Sequence, residues 1–225
     1  MIKKYLLVLL TFVTVITCNS QEVLMQRCVD WNIIITSNPS FSIIRELEHH
    51  CNDEMGCPVY ELGILPAIWV SRDGKCEVSI DIKDKNICYD GDYEVFKNDI
   101  FSQYIYNNIK KHFQWGDPYR FPEKKDYKYL KMLLTKYPNK LARKYFNADE
   151  LYLYPLDIKS ECRGKFSHAM VVIPLQRGNG APPFIHFVMT EDARKNFDRY
   201  LKEFQKTVMY KKNKKRLKRN IVFCF

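Results

Sequence analysis

Hydrophobic and polar positions alternate most cleanly after residue 75. Cys76, Val78, Ile80 and Ile82 fall on one side, and Glu77, Ser79, Asp81 and Lys83 on the other, a period of two that predicts a strand. Residues 64–70 before it are apolar and include Trp69. The stretch Ser71-Arg72-Asp73-Gly74-Lys75 has turn chemistry with Asp73-Gly74 at its centre, so the two runs predict a β-hairpin. Upstream, Asn38-Pro39-Ser40 reads as a helix start. Phe41, Ile44, Leu47 and Cys51, widened by Ile43, then recur at helical spacing, which predicts a helix over 41–51. Asp99 can cap a further helix over 100–113, with Phe101, Tyr104, Ile105, Ile109 and Phe113 as its apolar stripe. Leu130, Leu133, Leu134 and Tyr137 predict a helix over 127–137, and a short one follows Pro138 through Ala142 to Phe146.

The period changes again beyond residue 150. Residues 151–158, 167–175 and 184–189 read as strands, the last two an antiparallel pair across a Gly/Pro-rich loop. Thr190 then caps a helix carrying Glu191 and Asp192 in its first turn, with Phe197, Leu201, Phe204 and Val208 as its core stripe. The predicted class is α+β, with antiparallel sheet packed against amphipathic helices and the N-terminal half stapled by disulfides. Gly116, Pro118 and Pro122 mark a boundary, so the expected divisions are a signal at 1–20, a Cys-rich α+β subdomain at 21–117, a helical and strand-strand-helix subdomain at 118–209, and a basic tail at 210–225.

The order of strand, Asp73-Gly74 turn, strand Val78–Ile82, amphipathic helix and Phe113-Gln-Trp-Gly-Asp-Pro118 resembles the C-terminal domain of TonB-type energy transducers. The resemblance spans 64–118 and implies a hairpin-plus-helix unit; fold alone does not imply function. A second resemblance lies at the start of the chain. Lys3 and Lys4 precede an apolar run from Tyr5 to Ile16, about the length of a signal core and too short to span a bilayer. Val15-Ile16-Thr17-Cys18 and the small polar residues after it resemble the export signal of Gram-negative envelope lipoproteins. That resemblance implies lipid attachment at Cys18. The other route is cleavage after Ser20, with Gln21 as the new terminus. Both routes place the mature chain outside the cytoplasm: in the periplasm, lipid-anchored at the outer membrane, or secreted.

Charge sharpens this picture. The chain carries a formal +10, and Lys3, Lys4 and eight cations between Lys206 and Arg219 account for all of it. The body is near neutral, and the basicity is local. Of the eight cysteines, five lie between Cys28 and Cys88. In an oxidising compartment Cys28, Cys51, Cys57, Cys76 and Cys88 are disulfide candidates, with the pairing open.

The candidate chemistry is sparse. Glu46, His49, His50 and Cys51 are metal-ligand types at helical spacing, but they match no standard zinc module, and no His-Glu-x-x-His occurs. His168 and His186 sit on the predicted strands and could join Cys162 in a nucleophilic pair. The loop at 176–183, with Arg177 and Asn179, is a candidate contact surface. The tail cations Lys211, Lys212, Lys214, Lys215, Arg216, Lys218 and Arg219 suit an anionic surface. Export makes nucleic acid an unexpected partner, and no cofactor motif is present. The expected role is non-enzymatic binding at the cell envelope, to a protein partner or an anionic membrane surface. The alternative is a small exported hydrolase or metal enzyme using the His and Cys residues.

Overall fold

The computed structural model describes residues 24–44, 68–82, 128, 132–157, 166–176 and 182–212. A helical stretch covers 24–30. The elements that follow are β1 (Ile33–Ile35), β2 (Phe41–Ile44), β3 (Ile68–Ser71), β4 (Cys76–Asp81), β5 (Thr135–Tyr137), α1 (Asn139–Phe146), β6 (Glu150–Asp157), β7 (His168–Leu175), β8 (Phe184–Met189), α2 (Glu191–Lys195), α3 (Phe197–Glu203) and β9 (Val208–Tyr210). Helices and antiparallel sheets together make this an α+β protein.

The Asp-Gly hairpin forms as expected. Gly74 takes φ +65, the left-handed region in which a side chain is strained, and its N–H donates to the Ser71 carbonyl at 2.8 Å. Among the described residues β3 and β4 belong to a seven-stranded antiparallel sheet ordered β2-β3-β4-β8-β7-β6-β5, and β1 and β9 form a separate pair. The central contact is β4 against β8, from Cys76 opposite Met189 to Asp81 opposite Phe184. Strands from both sides of the expected 117/118 boundary therefore lie in one sheet.

The sheet buries both faces at its centre. On the first, Cys76, Val78, Ile80, Ile185, Phe187, Leu151 and Leu153 form one core with Ala142, Tyr145 and Phe146 of α1 and Leu201 of α3. Phe204, just past α3, anchors it through edge-on contacts with Phe41, Trp69 and Phe187 at 5.3, 5.5 and 5.5 Å. Cross-strand register puts Glu77, Ser79, Asp81, Phe184, His186, Val188, Val171 and Tyr154 on the second face, and all are buried as well.

Four sequence expectations differ from the structure. The start of the expected 41–51 helix is strand β2; the rest of that span lies outside the described residues. Asn38 accepts from Ser40 N at 2.8 Å in a local turn and donates to the Glu203 carbonyl, so its side chain shapes a turn rather than capping a helix. The β-branched Ile43 and Ile44 then pair with β3, a tertiary context that overrides the helical spacing. Within the expected 127–137 helix, Lys128, Met132 and Leu133 are helical, but Thr135–Tyr137 is strand, paired with Leu151–Leu153. The helix after Thr190 breaks at Asn196, whose side chain donates to the Asp192 carbonyl, and Val208 reaches the core from strand β9. Finally, Cys28 and Cys76 are free, buried thiols rather than half-cystines, each packed among apolar side chains. Cys51, Cys57 and Cys88, the 100–113 helix and Trp115 lie outside the described residues.

Candidate binding surface

The α1 segment, Asn-Lys-Leu-Ala-Arg-Lys-Tyr-Phe, contains no acid and divides cleanly. Ala142, Tyr145 and Phe146 point into the core, and Lys140, Arg143 and Lys144 are exposed. The last turn favours Arg143 and Lys144, because cations offset the partial negative charge of the unpaired helix carbonyls. Asn147 ends the helix in the left-handed conformation, φ 53.

The β9 strand runs beside this helix end. Lys206 N donates to the Tyr145 carbonyl at 2.7 Å, and Asn147 Nδ2 donates to the Tyr210 carbonyl at 2.8 Å. Tyr210 is buried and donates its hydroxyl to the Pro174 carbonyl at 3.0 Å, which pins the strand where the basic tail begins. Lys206, Lys211 and Lys212 are exposed. The first tail lysines thus emerge next to a helix whose solvent side is already cationic. None of Lys140, Arg143, Lys144, Lys206, Lys211 and Lys212 joins an ion pair among the described residues. The pairs form elsewhere, as in Lys75–Asp192 at 3.2 Å, Lys136–Glu150 at 2.8 Å and Arg199–Asp73 at 2.9 Å. Asp149, the acid nearest α1 in sequence, is itself engaged.

The other candidates separate. His168 lies opposite Met189, and His186 opposite Val171, so the two histidines project from opposite faces of the sheet and cannot share one pocket. His168 is hydrogen-bonded to Glu191, and that contact, with Lys195 and Arg194 nearby, holds the Glu191 carboxyl below its ordinary range. Ser79 lies directly across from His186, a pairing that sequence alone did not suggest. Its Oγ is fully buried and has no hydrogen-bond partner among the described residues, so none of them positions a base on it. Tyr154, on the same face, has its hydroxyl pushed well above the ordinary range by burial and by the Asp81 charge. No group of three or more His, Cys, Asp and Glu side chains among the described residues could hold a metal ion. Glu46, His49, His50, Cys51, Cys162, Arg177, Asn179, Cys18 and the tail from Lys214 to Arg219 lie outside the described residues.

Sequence reasoning found the tail and the α1 helix but missed the basic surface of that helix. The signal was present in the absence of any acid between Asn139 and Phe146; what was lacking was knowledge that β9 returns to this helix. No family model, no curated protein and no solved structure matches the chain.

Proposed function

We propose that this chain is an exported cell-envelope protein with a non-enzymatic binding role, and that its basic surface holds it against an anionic lipid surface. The observation that carries this reading is the junction of α1 with β9, where unpaired exposed cations on the helix adjoin the first lysines of the tail. Each cation near a charged membrane contributes about 1 kcal/mol, so six of them and the tail suffice for reversible attachment. The signal-like segment at 1–20 supports export, with Cys18 acylated or Gln21 exposed as the two forms of the mature terminus. Export also favours a disulfide staple among Cys51, Cys57 and Cys88, since thiols oxidise in that compartment. The lack of convergence between His168 and His186 weighs against the hydrolase alternative.

Co-sedimentation with phosphatidylglycerol-containing and pure phosphatidylcholine vesicles tests the reading. Binding to the anionic vesicles alone, weakened as salt rises and reduced by Lys140→Glu/Arg143→Glu/Lys144→Glu, is the expected result. Salt-insensitive binding, or none, overturns it. Capture of an acidic protein in place of lipid would reassign the surface.

A further inference from the structure

We propose that the corner made by the helical stretch 24–30 and the β1–β9 pair is a membrane-contact face. On it Met25, Val29 and Ile34 enter the boundary of an anionic bilayer while Lys211 and Lys212 meet lipid phosphates. The proposal rests on the reading that the basic surface meets anionic lipid, and adds to it an apolar component and an orientation.

The exposed large apolar side chains among the described residues are Met25, Val29, Ile34, Ile43 and Met132, and three of these five share this corner. Scattered single exposures are ordinary; a group of them on one corner marks a contact surface. Met25 and Val29 stand four apart on the helical stretch and so share one side of it, 61% and 56% exposed. Leu24 and Cys28 turn inward to the core. Ile34 lies opposite the half-buried Met209 on the outer side of the β1–β9 pair, while Ile33, Val208 and Tyr210 face inward.

The cations adjoin this apolar group through the backbone. Asn32 N donates to the Val29 carbonyl at 3.2 Å, and the Asn32 carbonyl accepts from Lys211 N at 2.7 Å. Lys211 is also close enough to the Cys28 thiol for its charge to act there. Asp30, an acid within this stretch, is engaged by Gln26 Nε2 at 2.9 Å. An apolar patch bordered by lysines is the pattern of an interfacial membrane surface, with apolar groups at the acyl boundary and ammonium groups among the phosphates.

A second copy of the chain fits less well. A two-fold contact through this corner would bring Lys211 and Lys212 of both copies together, four cations against the two Asp30 carboxylates. The lead-in to the corner is also short. Seven residue steps separate Cys18 from Met25, a reach of about 25 Å at full extension, so an acylated Cys18 would hold this corner at the bilayer.

The test uses the chain from Gln21 onward, without acyl groups, and vesicles of phosphatidylcholine with phosphatidylglycerol. Met25→Ser/Val29→Ser is expected to lower the partition coefficient about tenfold or more at fixed salt, with the slope of its salt dependence unchanged. Lys211→Gln/Lys212→Gln is expected to flatten that slope instead. A Met25→Trp variant gives a reading independent of affinity: brominated lipid is expected to quench its added fluorescence on anionic vesicles. Equal binding by wild type and Met25→Ser/Val29→Ser, with no added quenching in Met25→Trp, overturns this inference and leaves the basic-surface reading standing. Failure of the wild type to bind anionic vesicles at low salt removes both. A lipid-independent dimer that Met25→Ser/Val29→Ser dissociates would assign the corner to self-association and overturn the proposal.

Discussion

The Asp73 carboxylate does more than turn the hairpin. One oxygen accepts from Ser71 Oγ at 2.7 Å and Lys75 N at 3.1 Å; the other accepts from Arg199 Nη2 at 2.9 Å and the Tyr200 hydroxyl at 2.7 Å. It therefore ties the β3–β4 turn to α3. Partial burial on its own would raise this carboxyl, but the hydrogen bonds from Ser71, Tyr200, Lys75 and Arg199 outweigh it and hold the group well below the usual range. Because the folded value lies below the unfolded one, the stabilisation is complete above about pH 4 and is lost as pH falls further. Asp73→Asn is expected to cost about 1–2 kcal/mol in urea unfolding at pH 7, the partial exposure of the site keeping the cost low. That difference from wild type should shrink when the titration is repeated in acid. A constant difference across pH would show that the charge is not what matters. The two described thiols make a second residue-scale expectation. Burial pushes Cys28 up to about 11, with Lys211 opposing, and burial with the Asp73, Glu77 and Glu203 charges raises Cys76 further. Iodoacetamide should leave both unmodified in the native protein and label both in denaturant without reductant. A need for reductant would mean that they are bridged.

At the scale of elements, the C-terminal part is organised by its caps and by the return of β9. Thr190 Oγ1 accepts from Ala193 N at 3.3 Å, and Glu191 and Asp192 occupy the first turn, as the sequence led one to expect. Phe197, Leu201, Phe204 and Val208 all reach the core, as their helical spacing implied, yet Val208 does so from a strand. The spacing reported burial correctly and conformation only in part, because Lys206 at φ 67 turns the chain back toward β1. Truncation tests this arrangement. A chain ending at Lys212 keeps β9 with its buried Val208 and Tyr210 and should unfold within about 0.5 kcal/mol of the full chain. A chain ending at Thr207 loses buried Val208 and Tyr210 and should be destabilised by about 3 kcal/mol or more. Equal stability of the two truncations in thermal unfolding would place β9 outside the folded core.

For the whole molecule, the decisive contact is β4 with β8. It joins residues more than a hundred positions apart in sequence, as in Ser79 opposite His186. Neither half can bury its central strand without the other, so fragments 21–117 and 118–225 expressed separately should each lack a cooperative thermal transition. Mixed together, they should recover one only if β4 and β8 re-pair. A sharp transition in either fragment alone would make it an independent folding unit. Glu77, Ser79 and Asp81 are buried as well, on the face opposite Val78 and Ile80. A period of two reports that the faces differ, not that one of them is wet.

The local patterns of this chain determined what short-range physics can encode: the Asp73-Gly74 turn, the alternation on β4, the apolar runs of β6, β7 and β8, the α1 helix after Pro138 and the Thr190 cap. Each rests on side-chain spacing or backbone preference within a few residues. Tertiary structure alone decided the strand order, the strand identity of β2, β5 and β9, the opposite orientation of His168 and His186, and the meeting of α1 with the head of the basic tail. These depend on backbone hydrogen bonds and apolar burial between segments far apart in the chain, where the gain comes from the partner and leaves no mark on the local pattern.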